Sequence, residues 1–143
     1  PKIHYAIAGE GPLRNHLEEL AKDLNVADRV HLLGYRNDVA EIYKVTDVCC
    51  FPSIREGLGL AAIEGMASGR PFIATDVNGL REVVTGAGIL VECGNANELA
   101  TILDKLDVDK NYYDGIVCAC LKRASEFDIT SVAEKYIYEY KKM

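Results

Sequence analysis

Two glutamates, Glu56 and Glu64, stand eight positions apart, and Gly57-Leu58-Gly59-Leu60 lies between them. A glycine-bearing turn that feeds a helix leaves the first backbone N–H groups without intrahelical partners, and the helix dipole adds positive character there. The main chain of residues 57–60 therefore offers an anion site. Ionised carboxylates only accept hydrogen bonds and each can take two, so a pair flanking an anion suits hydroxyl groups on either side of it. A diphosphate with a sugar at each end has this shape. A hydrolytic pair fits worse. Eight helical positions span ~12 Å, whereas acid and nucleophile stand about 5 Å apart in retaining glycosidases and up to about 9.5 Å in inverting ones. Part of the span is glycine turn rather than helix.

Each candidate has a plainer reading. Ser53-x-x-Glu56 has the form of a capping box, in which Glu56 would bond back to Ser53. Two glycines in the next three positions weigh against a purely structural cap, because each costs ~1 kcal/mol in a helix. Glycine also lets backbone approach a ligand closely. Glu64 could be a solvated helix edge, and Arg55 could pair with phosphate or with water. His4, His16 and His31 are scattered, have no triad-like acid nearby and read as structural.

The elements that must hold these residues alternate between strand and helix. Apolar runs at 3–8, 30–33, 47–51, 71–74 and 88–91 read as strands, and their near-continuous hydrophobicity suits a parallel sheet covered on both faces. Leu13, Leu17, Leu20, Ala21 and Leu24 recur at helical spacing, which predicts a helix over 12–24 with Pro12 in its first turn. Asp38 with Glu41 resembles a capping box opening a short helix, residues 60–67 a helix closed by Gly69 and Pro71, and 80–85 another. Asn95 with Glu98 caps a helix to Leu106, and 112–127 and 131–141 complete the chain. Gly9-x-Gly11 lacks the third glycine of a dinucleotide fingerprint, because position 14 is Arg14. The expected fold class is α/β: a doubly wound, mostly parallel sheet of about five strands, with helices gathered at the C-terminus.

Composition narrows the function. With 143 residues and 49% hydrophobic content, the chain makes one domain with a core. A net charge of −6 argues against nucleic acid. There is no apolar run long enough to span a membrane. The five cysteines show no zinc or C-x-x-C spacing, and they are expected to be reduced, mostly buried, cytoplasmic thiols. The start at Pro1 suggests a piece of a longer chain.

Glu56-x7-Glu64 after Pro52-Ser53, then Met66-Ala67-Ser68-Gly69-Arg70-Pro71 and Ala74-Thr75, resembles the signature of retaining GT-B glycosyltransferases. The closest match is the C-terminal, nucleotide-sugar-binding domain of family 4, over about 7–91. The resemblance implies a Rossmann-like half of a GT-B fold over 1–143, incomplete on its N-terminal side and without the acceptor domain. It implies that Glu56 contacts the transferred sugar, that Glu64 takes the ribose hydroxyls, and that the amides of Gly57, Leu58, Gly59 and Leu60 hold the diphosphate. Tyr35 and Arg36 would frame the base, while Gly9 and Gly11 line the cleft mouth. The donor is a UDP-, GDP- or ADP-sugar with no metal, and the acceptor is a glycan or lipid-linked sugar bound through the missing domain. Location is cytoplasmic, with peripheral contact of the whole enzyme at the inner membrane face.

The chain departs from the family in several places. The strand usual at the sheet centre, with its arginine and lysine for the diphosphate, is missing, so the sheet would have to close up or pair with another chain. Asn78 replaces one glycine of a Gly-Gly-x-x-Glu block, and Gly65 stands where relatives often have alanine, which should loosen the helix. A binding module without activity is the alternative, and a nucleotide-sugar epimerase lacks an acid/base pair here.

Overall fold

The computed structural model describes residues 3–142. Five short parallel strands alternate with helices: β1 (Tyr5–Ala8), α1 (Arg14–Asp23), β2 (Val30–Gly34), α2 (Val39–Val45), β3 (Cys49–Phe51), α3 (Leu60–Ala67), β4 (Phe72–Thr75), α4 (Asn78–Val84) and β5 (Ile89–Val91). Three longer helices follow, α5 (Ala96–Val108), α6 (Lys110–Ser125) and α7 (Ile129–Lys141). The strands form two ladders, β1-β2 and β3-β4-β5.

The chain divides into two compact units, residues 1–41 and 42–143. In the second, β4 is the middle strand and all four of its residues are buried. Side chains alternate across a strand, so β4 feeds two layers. Phe72 and Ala74 pack with Ala62, Met66, Leu80, Val84 and Cys120 of α3, α4 and α6. Ile73 packs with Val91, Leu99, Ile102 and Leu106 on the α5 side. That is the doubly wound arrangement, and each fully buried Phe, Ile, Leu or Met contributes about 1.5–3 kcal/mol. Gly65 belongs to this packing. A Cβ there would lie 2.5 Å from Phe72 Cε2, so the aromatic ring fills the place of the missing methyl.

The first unit is thinner. Among the described residues, Ala21 alone in it is buried, lining a cleft of about 200 Å³ with Val30 and Leu32. β2 alternates half-buried and exposed residues, with His31 and Leu33 exposed. This corrects the expectation that every strand is covered on both faces. His4, one residue before β1, stacks on His31 with ring nitrogens 3.0 Å apart. α1 begins at Arg14, two residues after Pro12, and ends in a Schellman turn: Asn25, at φ 55°, donates to Lys22 O and Val26 to Ala21 O.

Two local caps bring in further partners. Both oxygens of Asp38 take the Arg36 guanidinium, at 2.7 and 2.5 Å, because the fork two residues away offers a charged bidentate partner. Asn95 does cap α5 by accepting from Glu98 N, but the Glu98 carboxylate turns to Glu92 N instead of completing a box. All five cysteines are free, and only Cys49 and Cys120 are buried; Cys93 and Cys118 are exposed and Cys50 is intermediate. Burial pushes the Cys50 thiol up to about 11, so it stays protonated. No helix among the described residues is long and apolar enough to cross a membrane.

Candidate functional site

The loop 52–59 leaves the C-terminal end of β3, and three contacts from neighbouring segments fix its height. At its start, the Thr75 hydroxyl at the end of β4 donates to Ser53 O through a short hydrogen bond. In its middle, the backbone of Glu56 and Gly57 rests on Gly79 of α4. A Cβ at Gly79 would lie 2.5 Å from Gly57 O and 2.7 Å from Glu56 O, so no other residue admits this approach. At its end, Gly59 takes φ 67°, ψ 34° as the residue before α3, against Gly79 O and Leu80. Asn78 opens α4 without a positive φ, so the departure from Gly-Gly costs nothing there; Gly79 is the position that needs no side chain.

Glu56 does not reach back to Ser53. Its Oε1 accepts from Gly57 N at 3.0 Å and Gly59 N at 3.4 Å, so the carboxylate lies on the amide row of its own loop. Among the described residues no acceptor is found for the N–H groups of Leu58, Leu60 and Ala61. The side chains of Leu58 and Leu60 are exposed, as is Arg55. The open amides stand where the α3 dipole is positive.

Glu64 follows Leu60 by one turn and shares the exposed stripe of α3 with Leu60 and Ala67. It borders an open groove of about 510 Å³, lined also by Ile63, Leu121, Ala124, Phe127 and Asp128. On its other flank is Tyr43, whose hydroxyl is 3.5 Å from Ala61 O. Burial first, then the neighbouring Cys49 and Glu64, push the Tyr43 phenol up to about 12. Tyr43 thus stays a neutral hydroxyl beside the Glu64 carboxylate. Nothing in the sequence marked it.

Arg123 was also missed, for it lies 40 positions from what it holds. Its guanidinium donates to Val83 O at 3.0 Å and Glu82 O at 2.8 Å, the last carbonyls of α4. It pairs with Glu126 at 2.6 Å and lies over the Phe127 ring. A cation there both satisfies orphan carbonyls and complements the helix dipole.

In the first unit the remaining candidates gather at the C-terminal ends of β1 and β2. Gly9 donates to Gly34 O at 2.8 Å, which joins the turn of Gly9 and Gly11 to the strand end that precedes Tyr35 and Arg36. Tyr35 is 76% exposed. Arg36 is held by Asp38, whose carboxyl it keeps below the usual carboxylate range. Ligands of doubly wound sheets sit at such strand ends. Among the described residues no group of three or more His, Cys, Asp or Glu could hold a metal ion.

The fold is a doubly wound α/β domain of the GT-B glycosyltransferase kind, with the start of α3 lying between two acids in the chain. Residues 1–108 match the family model described as Glycosyl transferases group 1, and the chain belongs to that family. It is 34% identical over 113 residues to the UDP-Gal:alpha-D-GlcNAc-diphosphoundecaprenol alpha-1,3-galactosyltransferase of Escherichia coli, covering 77% of this chain and 29% of that protein. It is 34% identical over 128 residues to a D-inositol 3-phosphate glycosyltransferase of Mycobacteroides abscessus, covering 87% and 28%. All of it superposes on 42% of the crystal structure of Anabaena Alr3699/HepE in complex with UDP, with a TM-score of 0.87 at 24% identity, which is a likeness of fold. The chain spans about a third of the length of the curated relatives it matches.

Proposed function

We propose that this chain is the donor-binding part of a retaining glycosyltransferase, which moves a sugar from a nucleotide diphosphate sugar to a glycan or lipid-linked acceptor hydroxyl. The observation that carries the reading is the row of open amides at Leu58, Leu60 and Ala61, at the start of α3 and between Glu56 and Glu64. As the glycosidic bond breaks, its electron pair passes to the phosphate oxygen. Fixed N–H dipoles aimed at that oxygen favour the charged state, by about 3–4 kcal/mol per donor in comparable sites. The Gly79 seat and the Thr75–Ser53 bond keep the loop in place, so little reorganisation is needed when charge develops. Glu64 accepts the ribose hydroxyls, Glu56 meets the transferred sugar, and Arg55 lies beside the phosphates. Tyr35, Arg36, Gly9 and Gly11 belong to the base end. The reading needs no divalent metal.

Support comes from the family and from a UDP-bound structure of the same fold. Titration with UDP, GDP and ADP followed by amide NMR tests it. The expected result is saturable shifts at residues 57–64 with one of the three, abolished by Glu64→Ala; no shift with any of them refutes the donor reading. A non-catalytic binding module is the second reading, favoured by the Glu56 carboxylate serving its own loop. An unchanged transfer rate for Glu56→Ala in the whole protein would end the sugar-contact role of Glu56, whereas nucleotide binding with no sugar transfer by the whole protein would select the binding module.

A further inference from the structure

The Glu56 carboxylate occupies two amides of the row that would hold a phosphate, and its second oxygen, Oε2, has no donor among the described residues. The loop backbone has little room to withdraw toward α4, because the gap between Gly79 and the Glu56 and Gly57 carbonyls would not admit even a Cβ. An anion that settles on Leu58, Leu60 and Ala61 therefore meets a negative charge on the same row, and only the Glu56 side chain can give way. Once displaced, the carboxylate needs new donors. The hydroxyls of a sugar on the far side of the diphosphate supply them. A bare nucleoside diphosphate carries its hydroxyls on the ribose side only, and leaves two like charges facing each other.

Resting on the donor reading above, we propose that Glu56 sets specificity for the loaded donor over the spent nucleotide. It exchanges loop amides for sugar hydroxyls when a nucleotide sugar binds, and it returns to the amides to expel the nucleoside diphosphate after transfer. The residue that binds the sugar is thus also the one that clears the site.

Calorimetry of the chain and its Glu56→Gln variant with inorganic pyrophosphate, UDP and UDP-glucose tests this. Glutamine keeps the shape but holds its loop amides less firmly and carries no charge. The variant should bind pyrophosphate and UDP about tenfold tighter, while UDP-glucose gains no more than about twofold. The gain should survive 0.5 M salt, where screening falls to within roughly 5 Å. An equal gain for UDP and UDP-glucose, a loss for both, or a gain that vanishes at high salt would overturn the exchange. Binding of UDP-glucose by the parent chain without any gain in the variant sinks the exchange and leaves the donor reading standing. Binding of none of the three probes refutes both. A readout independent of the variant's folding is NMR of the parent chain, in which the Gly57 and Gly59 amides and the Glu56 carboxyl carbon should all shift on saturation with UDP-glucose; a Glu56 carboxyl that does not move would also overturn the exchange.

Discussion

The two sets of strand-end loops are held in opposite ways. Loop 52–59 is fastened by Thr75, seated on Gly79, closed by Gly59 and bonded by its own Glu56. The loops after β1 and β2 are joined by one backbone bond between Gly9 and Gly34 and by a surface pair, Arg36 with Asp38. Behind the first loop lies a two-layer core; behind the second, Ala21 is the one buried residue described. A site that must stabilise developing charge needs dipoles that do not move. A site that frames a flat base through main-chain groups tolerates a softer support. On the function proposed above, rigidity follows the chemistry each loop would be asked to do.

The largest effect that would sharpen this contrast comes from glycine. Gly79→Ala drives a methyl into Gly57 O and should cost about 3 kcal/mol in urea unfolding and abolish nucleotide shifts. Gly11→Ala, which meets open space, should cost under about 0.5 kcal/mol. Equal costs would mean the two loops are not differently constrained. Hydrogen exchange reads the same difference without mutation. Amides of β1 and β2 should exchange faster than those of β4 by on the order of a hundredfold. Gly65→Ala presses on the buried Phe72 ring and should cost about 2 kcal/mol. Phe72→Leu combined with it should recover part of that cost, a coupling a double-mutant cycle would show.

The smallest effect is at alkaline pH. Tyr43 ionises near its ordinary value of about 10 when unfolded, but at about 12 in the folded chain. Between those values the unfolded state has lost a proton that the folded state keeps, so stability falls as pH rises from 10 and levels off above 12. Tyr43→Phe should flatten that part of the curve. Because Tyr43 is only partly buried, solvent screening keeps the effect small.

Strand and helix order was legible because the buried runs of the second unit are apolar on both faces, as Phe72–Thr75 shows. The extent of α3 and the strand end at Gly34 follow from glycine punctuation. What could not be read were choices between equivalent local partners. Glu56 had acceptable donors behind it at Ser53 and ahead of it at Gly57 and Gly59, and only the folded turn decides between them. Asp38 faced a similar choice between a cap and Arg36. The importance of Gly79 and Arg123 depends on contacts 22 and 41 positions away along the chain, which no local pattern encodes. In α7, Ile129, Tyr136, Ile137 and Tyr140 fall on one exposed stripe, while Tyr138, also exposed, falls on the opposite side of the helix.

α4 has seven residues, Gly79 under one end and the Arg123 fork on the other. So short a rod has no slack: a tilt imposed at its tail arrives undiminished at its head. The aim of the open amides at Leu58, Leu60 and Ala61 is therefore set by the packing of a helix outside their own loop. Drift in the sequence of α6 would re-aim that loop while Glu56 and Glu64 remained in place.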